Sequence, residues 1–327
     1  MMYALLLSLL LAPSTRPAAE PIDVWLDVDT STGVVTNGRN HDVDDGLFMI
    51  YAFHSPELNV RGVSVQFGNA SLEQAMPIAE EIIDRFGPEG MVAHAGAASA
   101  DDLDKETDAT RALAEALREK PMHVLPVGPV TNVAAVLKQH PELAERMQSI
   151  IVVAARRPGF RFGPEQAPGV FFPDANFEKD VEGMRVLIDS GVPIVFAGYE
   201  VSSDVWITPA DLDAMATKSE AGAWIAETSR PWQKQWTSNM PVPGFNPFDT
   251  LALLYLTHPE LIESIPVTTE IVEQIDERAT PEQQAAGKTK PYLIATPTDE
   301  PSRLVYLTEP ADEADAIIVD RLAADAR

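Results

Sequence analysis

Short apolar runs alternate with amphipathic stretches along the chain from residue 23 onward. Apolar runs of about four to eight residues are typical of buried strands, whereas apolar residues spaced three and four apart are typical of helices. The pattern predicts strands at residues 23–28, 60–68, 91–96, 122–128, 149–155 and 192–198. It predicts helices between them at residues 44–54, 71–87, 105–119, 130–147 and 177–191.

This alternation of strands and helices predicts the fold class. Successive strand–helix–strand units build a parallel sheet, so we expect an α/β fold with a mainly parallel open sheet flanked by helices, similar to Rossmann-like folds. No internal repeat or long linker interrupts the pattern, which favours one domain over residues 21–327. Ligands of such sheets bind beyond the carboxyl ends of the strands, so the residues that follow each strand are the candidates for function.

Two segments differ in composition from the elements around them. Residues 154–175 are rich in Pro, Gly and Phe, which predicts an active-site loop. Residues 276–290 are mostly polar, and we expect a solvated excursion there before a final strand pair and helix.

The N-terminus carries an apolar run at residues 2–12, followed by small residues and prolines. The run is too short to span a bilayer, and the combination is typical of a secretory signal peptide. We therefore predict a signal peptide at residues 1–20 and a secreted or periplasmic protein. No Lys or Arg precedes the run, so an uncleaved anchor and an artefactual start codon stay as alternatives.

The charge and the cysteine content exclude several kinds of partner and site. Lys and Arg total 24 against 50 Asp and Glu, which gives a formal net charge of -26. That charge repels nucleic acid and anionic membrane surfaces, so we expect neither as a partner. The chain contains no cysteine, which excludes disulfides and thiolate metal ligands. Assembly into a homo-oligomer stays open.

Aspartates concentrate where the first predicted strand leads to the first predicted helix. Residues 26–48 hold five of them, and so many carboxylates at close quarters repel one another unless a cation lies between them. Other oxygen-bearing groups follow the later strands. Carboxylate, amide and carbonyl oxygens are the ligands that a hard cation such as calcium prefers. These strand-end positions are Asp27, Asp29, Asp44, Asp45, Asn69, Val127, Asp174, Asn176 and Asp249.

Four sequence motifs resemble those of a known family. In chain order they are DVDT…DVDDGL, FGN, GPVTN and FDTLAL, and together they resemble the inosine-uridine preferring nucleoside hydrolases over about residues 22–327. The resemblance implies a nucleoside hydrolase-like α/β fold. It also implies hydrolysis of the N-glycosidic bond of a small riboside, which releases ribose and a purine or pyrimidine base.

The resemblance further implies a calcium ion and a catalytic base. The carboxylates of Asp29, Asp45 and Asp249 and the backbone carbonyl of Val127 would hold the ion, with a water molecule in the remaining position. Asp29 corresponds to the family's general base and would take a proton from that water.

The resemblance also implies contacts to the sugar. Asp44, Asn69 and Asn176 would bind the ribose hydroxyls, and Asp174 stands where family members usually carry a glutamate that reaches the 5′ side. These roles suit the chemistry, because cleavage of the bond builds a positively charged, oxocarbenium-like sugar that carboxylates stabilise.

The first motif departs from the family pattern by an insertion. Fourteen residues, 30–43, separate Asp29 from Asp44, where the family has three. Within the insertion, residues 34–40 predict a small β-hairpin with Asn37-Gly38 at its tip, because that pair accepts positive φ.

The chain also lacks the family's usual acids for the departing base. Phe248 stands where many members carry a histidine. This difference favours either a purine-type site that activates the base by aromatic stacking or a substrate outside the usual nucleosides. The aromatic candidates for stacking are Phe245, Phe248, Trp232 and Trp236, and His41 in the insertion is the candidate replacement acid.

Three other functions compete with this interpretation. The stretch DVDTS fits the start of a haloacid-dehalogenase phosphatase, but the later lysine and acidic pair of that class do not stand out. It also starts like an EF-hand calcium loop, although the glycine and glutamate of such a loop are missing. A non-catalytic member of the hydrolase fold that binds ribosides is the third alternative.

Overall fold

The computed structural model describes residues 20–324. The predicted signal peptide at residues 1–20 lies outside the described residues, apart from Glu20. Among the described residues, no helix combines the length and the apolar character that crossing a membrane requires.

The strands form one large sheet and one small hairpin. The strands are Ile22–Val28 (β1), Val35–Thr36 (β2), Arg39–Asn40 (β3), Leu58–Val65 (β4), Ala93–Ala95 (β5), Met122–Pro126 (β6), Met147–Val152 (β7), Ile194–Phe196 (β8), Ile262–Ile275 (β9), Thr289–Pro297 (β10) and Leu304–Pro310 (β11).

Helices connect these strands and cover the sheet. They are Asp44–His54 (α1), Leu72–Phe86 (α2), Asp108–Glu119 (α3), Thr131–Gln139 (α4), Ala175–Lys179 (α5), Val181–Asp189 (α6), Tyr199–Ser202 (α7), Pro209–Met215 (α8), Glu220–Asn239 (α9), Thr250–Thr257 (α10), Pro281–Ala285 (α11) and Ala314–Leu322 (α12). Short 3₁₀ helices occupy Ala100–Asp102, Pro141–Arg146 and Pro259–Leu261.

The large sheet has the strand order β10-β9-β11-β8-β7-β6-β1-β4-β5 within the described residues. The strands from β5 to β11 in this order pair in parallel. At the other edge β9 runs opposite to them and pairs antiparallel with both β11 and β10. The predicted fold class, a mainly parallel α/β sheet with flanking helices, is therefore confirmed. The chain leaves β1 toward β4 on one side and returns to β6 on the other, which opens a crevice at their carboxyl ends.

Helix α1 is buried along its whole length, which brings its first residues into the interior. All eleven of its residues are buried, and it packs against α2, α10 and α12. The apolar sequence of residues 47–53 explains this burial, since no face of the helix is left polar. The two aspartates at the start of the helix are consequently removed from water, at the end where the helix dipole favours negative charge.

All six predicted strands and five predicted helical regions are present, but two of the helices are divided. The helix predicted at residues 130–147 ends at Gln139 and continues as a 3₁₀ helix from Pro141, because proline has no N–H to donate to the preceding turn. The helix predicted at 177–191 is broken at Asp180, whose carboxylate accepts a hydrogen bond from the Gly183 N–H (2.7 Å) and starts α6.

The C-terminal part contains one strand more than the sequence pattern predicted. Residues 276–290 connect β9 to β10 and carry the short helix α11. The predicted strand pair and helix that follow this excursion are β10, β11 and α12, and the additional strand is β9, which precedes it. Strand β9 was missed because only Ile262 and Val267 of its fourteen residues are buried, which leaves little apolar signal.

The inserted residues 34–40 form the predicted hairpin. Strands β2 and β3 pair antiparallel, and the tip residues Asn37 (φ 53°) and Gly38 (φ 75°) adopt the left-handed conformation that a two-residue turn requires. The hairpin is fastened to α9: Asn40 donates its backbone N–H to Gln235 Oε1 (2.8 Å), and Gln235 Nε2 donates to the Asn40 carbonyl (3.0 Å).

We predict that Gln235→Ala loosens the hairpin. The substitution removes both hydrogen bonds to Asn40, and we expect the free energy of unfolding to fall by about 1–2 kcal/mol. Amide hydrogen exchange at residues 35–40 should accelerate in the same variant. The control Ser238→Ala removes an exposed hydroxyl of the same helix and should leave that exchange unchanged; equal exchange in both variants would contradict the contact.

Candidate active site

A cavity of about 750 Å³ lies at the carboxyl ends of the central strands. Most strand-end residues that the sequence singled out contribute to its lining. They are Asp44 after β1, Asn69 after β4, Val127 after β6, Asp174 and Asn176 after β7, and Phe248 and Asp249 before α10.

Three buried aspartates meet at this end of the sheet. One carboxylate oxygen from each of Asp44, Asp45 and Asp249 lies within 4.8 Å of the other two. The three residues are between 1 and 5% exposed. Asp249 precedes α10 but makes no capping hydrogen bond to it, so its carboxylate is not occupied in holding the helix.

The electrostatics of this cluster are unfavourable without a cation. Burial raises the pKa of the Asp249 carboxyl well above its ordinary range, and the negative charge of Asp29 adds to the effect. Burial and the charge of neighbouring aspartates do the same to Asp44 and Asp45. Asp249 Oδ2 has no hydrogen-bond partner among the described residues. Three converging carboxylates with an unsatisfied buried oxygen fit a divalent cation with oxygen ligands.

Asp29 lies beside the cluster, fully buried and closely held. Its Oδ2 accepts a hydrogen bond from the Asn69 N–H (2.7 Å), and its own N–H donates to Asp45 Oδ1 (2.8 Å). Two glycines pack against the carboxylate, since a Cβ added at Gly68 would lie 1.7 Å from Asp29 Oδ2 and one at Gly128 2.8 Å from its carboxyl carbon. Only residues without a side chain fit there.

Lys179 supplies a positive charge next to Asp29. Its ammonium lies 3.7 Å from Asp29 Oδ2 and donates to Asn69 Oδ1 (3.3 Å). Burial raises the pKa of Asp29, and the Lys179 charge opposes that rise. The sequence interpretation missed Lys179, although it lies only three residues beyond Asn176, which the sequence does single out.

Asp27, the first aspartate of the stretch, stands behind the site and does not line it. It is fully buried and accepts hydrogen bonds from Ser64 Oγ (2.5 Å), Gln66 Nε2 (2.7 Å) and Asn132 Nδ2 (2.8 Å). Burial raises the pKa of Asp27 to about 7. These bonds join β1 to β4 and α4 directly behind Asp29, so Asp27 fixes the backbone on which the site is built.

The structure brings together two of the predicted metal ligands, Asp45 and Asp249, and adds Asp44 to them. Asp29 is next to this group through its bond to Asp45. The Val127 carbonyl accepts a hydrogen bond from Asn176 Nδ2 (2.5 Å). The assignment of Asp29, Asp45, Asp249 and Val127 as ligands, and of Asp44 as a ribose contact, stays a prediction.

The predicted sugar-binding residues line the cavity in orientations set by the backbone. Asn176 Nδ2 also donates to the Val153 carbonyl (3.0 Å), which joins the ends of β6 and β7. Asp174 Oδ2 accepts from the Ala155 N–H (3.0 Å), and burial raises the pKa of Asp174 to about 7 against the opposing charge of Arg156. Asn69 is held by Asp29 and Lys179.

Aromatic side chains form one wall of the cavity. The Trp236 ring lies 6.1 Å from that of Phe248, 5.1 Å from that of Trp232 and 5.1 Å from that of Phe172. The indole N–H groups of Trp232 and Trp236 have no hydrogen-bond partner among the described residues. Such a wall suits a flat, partly polar ring.

Two aromatic assignments change. Phe245 was a candidate for stacking, but it is fully buried in the apolar core and does not line the cavity, so that prediction is wrong. Tyr199 was missed and does line it, 5.9 Å from Phe248 between ring centres. Tyr199 directly follows the segment predicted as the strand 192–198, so the rule of inspecting strand ends could have found it.

The insertion contributes a histidine to the cavity. His41 Nδ1 donates to the backbone carbonyl of Asn69 (2.6 Å), because a carbonyl can only accept. That bond leaves Nε2 as the nitrogen that can exchange a proton with a ligand.

Comparison with known proteins agrees with this architecture. The sequence model of the family "Inosine-uridine preferring nucleoside hydrolase" matches residues 24–304. Pyrimidine-specific ribonucleoside hydrolase RihA of Salmonella paratyphi B is 27% identical over 199 residues, which cover 52% of this chain and 61% of RihA. The match thus spans less than two thirds of that relative's length.

Two solved structures share the fold over nearly their whole length. A purine-preferring ribonucleoside hydrolase from Gardnerella vaginalis superposes with a TM-score of 0.72 at 19% identity, covering 92% of this chain and 98% of that one. The plant nucleoside hydrolase PpNRh1 superposes with a TM-score of 0.71 at 18% identity, covering 93% and 99%. Since the family model matches most of the chain, this protein belongs to the inosine-uridine preferring nucleoside hydrolase family.

Proposed function

We propose that the protein hydrolyses the N-glycosidic bond of ribonucleosides in a calcium-dependent reaction, releasing ribose and the base. The observation that carries the proposal is the convergence of Asp44, Asp45 and Asp249 beside the buried carboxylate of Asp29. The family membership supports the reaction class.

Calcium would be held by Asp45 and Asp249, with Asp29 and the Val127 carbonyl as further ligands and Asp44 close to them. A bound divalent cation supplies positive charge that lowers the pKa of a water molecule and fixes ribose hydroxyls. The donor set supports calcium over zinc, because it consists of oxygen atoms and contains no histidine or cysteine. In the secreted or periplasmic location that we propose from the N-terminal sequence, the site would work with the calcium of that compartment.

Asp29 acts as the general base in this proposal. Its carboxylate is fixed by the Asn69 N–H and by the two glycines packed against it, so it keeps one orientation beside the acidic cluster. Burial raises the pKa of Asp29 and so favours proton uptake, while the positive charge of Lys179 opposes that rise.

The ribose lies over the acidic floor. Asp44, Asn69 and Asn176 take its hydroxyls, and Asp174 faces its 5′ side. As the glycosidic bond breaks, positive charge grows on the sugar ring, and buried carboxylates stabilise that charge more strongly than they would in water.

The base lies against the aromatic wall of Phe172, Trp232, Trp236 and Phe248. Phe248 cannot donate a proton, so we assign the leaving-group acid to His41, whose Nδ1 is held by the Asn69 carbonyl. This role belongs to the insertion and replaces the histidine missing before Asp249.

Of the three competing functions, two conflict with the family match or the structure and one remains a candidate. The family match over residues 24–304 overturns the haloacid-dehalogenase phosphatase, and the hairpin at residues 35–40 is not an EF-hand loop. A riboside-binding protein without turnover stays as the second candidate, favoured by the phenylalanine at position 248.

We predict that calcium reverses a loss of stability at neutral pH. Buried carboxyls with raised pKa values bind more protons in the folded than in the unfolded state, so stability falls as pH rises above their unfolded value near 3.8. The stability that the protonated Asp27 and Asp174 contribute is lost completely once the pH exceeds about 7. The raised pKa of Asp249 in the acidic cluster extends the loss of stability to higher pH.

Thermal unfolding measured in chelator should therefore show a Tm that declines between pH 5.5 and 8, and saturating calcium should remove the part of the decline that comes from the acidic cluster. Asp249→Asn should make the decline shallower, whereas Asp320→Asn at the surface should not. A Tm in chelator that rises over this range would contradict the electrostatic description.

We predict that Asp29→Asn lowers kcat at saturating calcium by about 10³-fold, within the range for a lost general base. Ribose release would be measured as reducing sugar from inosine, uridine, adenosine and nicotinamide riboside, with calcium and with chelator. The exposed Asp320→Asn variant serves as control. Unchanged turnover by Asp29→Asn would refute the assigned base, and no turnover by the wild type would favour the binding protein.

We predict that His41→Asn lowers kcat for inosine by roughly 10²-fold but changes hydrolysis of 4-nitrophenyl riboside little. Asn can still donate to the Asn69 carbonyl, and 4-nitrophenolate leaves without needing a proton. Equal losses on both substrates would show that His41 positions the substrate and does not protonate the base.

A further inference from the structure

A second cleft of about 510 Å³ adjoins the main cavity. It lies between the β2–β3 hairpin and helix α9, and four residues line both spaces: Arg39, Asn40, Gln235 and Asn239. The hydrogen bonds between Asn40 and Gln235 hold the two walls of this cleft together.

Two cations in this cleft have no hydrogen-bond or ion-pair partner within the part of the chain that the structure describes. Arg39 and Lys234 are exposed, and both line the cleft. They are the only lysine or arginine side chains of residues 20–324 that form neither a hydrogen bond nor an ion pair with another described residue. Every other one is bonded to a carboxylate, a carbonyl or a histidine.

That Arg39 and Lys234 form no ion pair with another described residue is informative in so acidic a chain. With 50 acidic against 24 basic residues, an exposed cation has many carboxylates available to it. None of the residues that line this cleft is acidic. The two positive charges are therefore left unpaired by the described residues in a cleft that shares part of its lining with the cavity, where they attract an anion that the rest of the surface repels.

The cleft adjoins the base end of the cavity. Lys234 and Gln235 belong to α9, the helix that also carries Trp232 and Trp236 of the aromatic wall. Arg39 is two residues from His41, which faces the cavity from the hairpin. We assign the 5′ side of the sugar to Asp174. The buried carboxyl of Asp174 would repel an anionic group at that position, so the anion that Arg39 and Lys234 attract belongs to the base.

We propose that Arg39 and Lys234 bind a carboxylate carried by the leaving base, so that the preferred substrates are ribosides with an anionic aglycone. This inference rests on the proposed riboside hydrolysis and names the substrate class for that site. A charged hydrogen bond to a carboxylate is stronger than one to a neutral amide, so the pair discriminates between otherwise similar bases.

The test compares two substrates that differ in one group. N-ribosylnicotinate carries a carboxylate where N-ribosylnicotinamide carries a carboxamide of nearly the same size. The wild-type protein with calcium should show a kcat/KM for the carboxylate substrate at least about tenfold above that for the amide. The ratio should decrease with added salt, because ions screen an exposed charge pair.

The variant Arg39→Gln/Lys234→Gln should reduce that ratio at least about tenfold, mainly through KM. The matched control Lys218→Gln/Arg230→Gln removes the same charge, and both of its residues are exposed and paired with aspartates outside the cleft. It should leave the ratio unchanged. A wild-type ratio near one, or equal ratios in the wild type and the cleft variant, would overturn the proposal.

Two further measurements separate the other outcomes. Binding of both ribosides to Asp29→Asn, measured by calorimetry, tests the carboxylate preference even where no substrate is turned over, so failure of the hydrolase proposal is distinguishable from failure of this one. Inosine 5′-monophosphate compared with inosine tests the position of the anion. If the Arg39→Gln/Lys234→Gln substitution changed kcat/KM only for the 5′-phosphate substrate, the assignment of the bound anion to the base would be overturned.

Discussion

The mutual repulsion of buried carboxylates is the constraint on which the rest of the site depends. Asp44, Asp45 and Asp249 approach one another within 4.8 Å, each at most 5% exposed, and one oxygen of Asp249 has no hydrogen-bond partner among residues 20–324. Such an arrangement costs stability unless a cation compensates it, so it suits a binding site and does not stabilise the fold by itself. The apolar helix α1 enforces it, because burial of the helix carries Asp44 and Asp45 inside.

The surroundings of this cluster divide the cavity into two chemically different ends. Around the acids, the carboxyl ends of β1, β4, β6 and β7 present short polar side chains that backbone groups hold in place. At the other end, aromatic rings from α9 and the loop before α10 offer flat apolar surface. The insertion also lines the cavity and adds His41 and Arg39 to it. A sugar suits the first end and a heterocyclic base the second.

Much of this could be predicted from the sequence, for identifiable reasons. Alternating patterns predicted the parallel sheet, Asn37-Gly38 predicted the hairpin because few other pairs accept positive φ at both positions, and strand ends predicted that Asp45 and Asp249 converge. Side-chain direction in irregular segments could not be predicted. Phe245 and Phe248 are three residues apart in one loop, yet one packs in the core and the other lines the cavity. Lys179 was missed because its contact with Asp29 depends on how α5 crosses the strand ends.

The central claim is that one divalent cation joins the distant acidic residues at the rim of the sheet. A crystal structure determined in saturating calcium tests it most directly. We expect a single ion bound by the carboxylates of Asp45 and Asp249, at the calcium–oxygen distances of about 2.3–2.6 Å that such sites show. A rim without an ion under these conditions, with the two carboxylates turned away from each other, would contradict it.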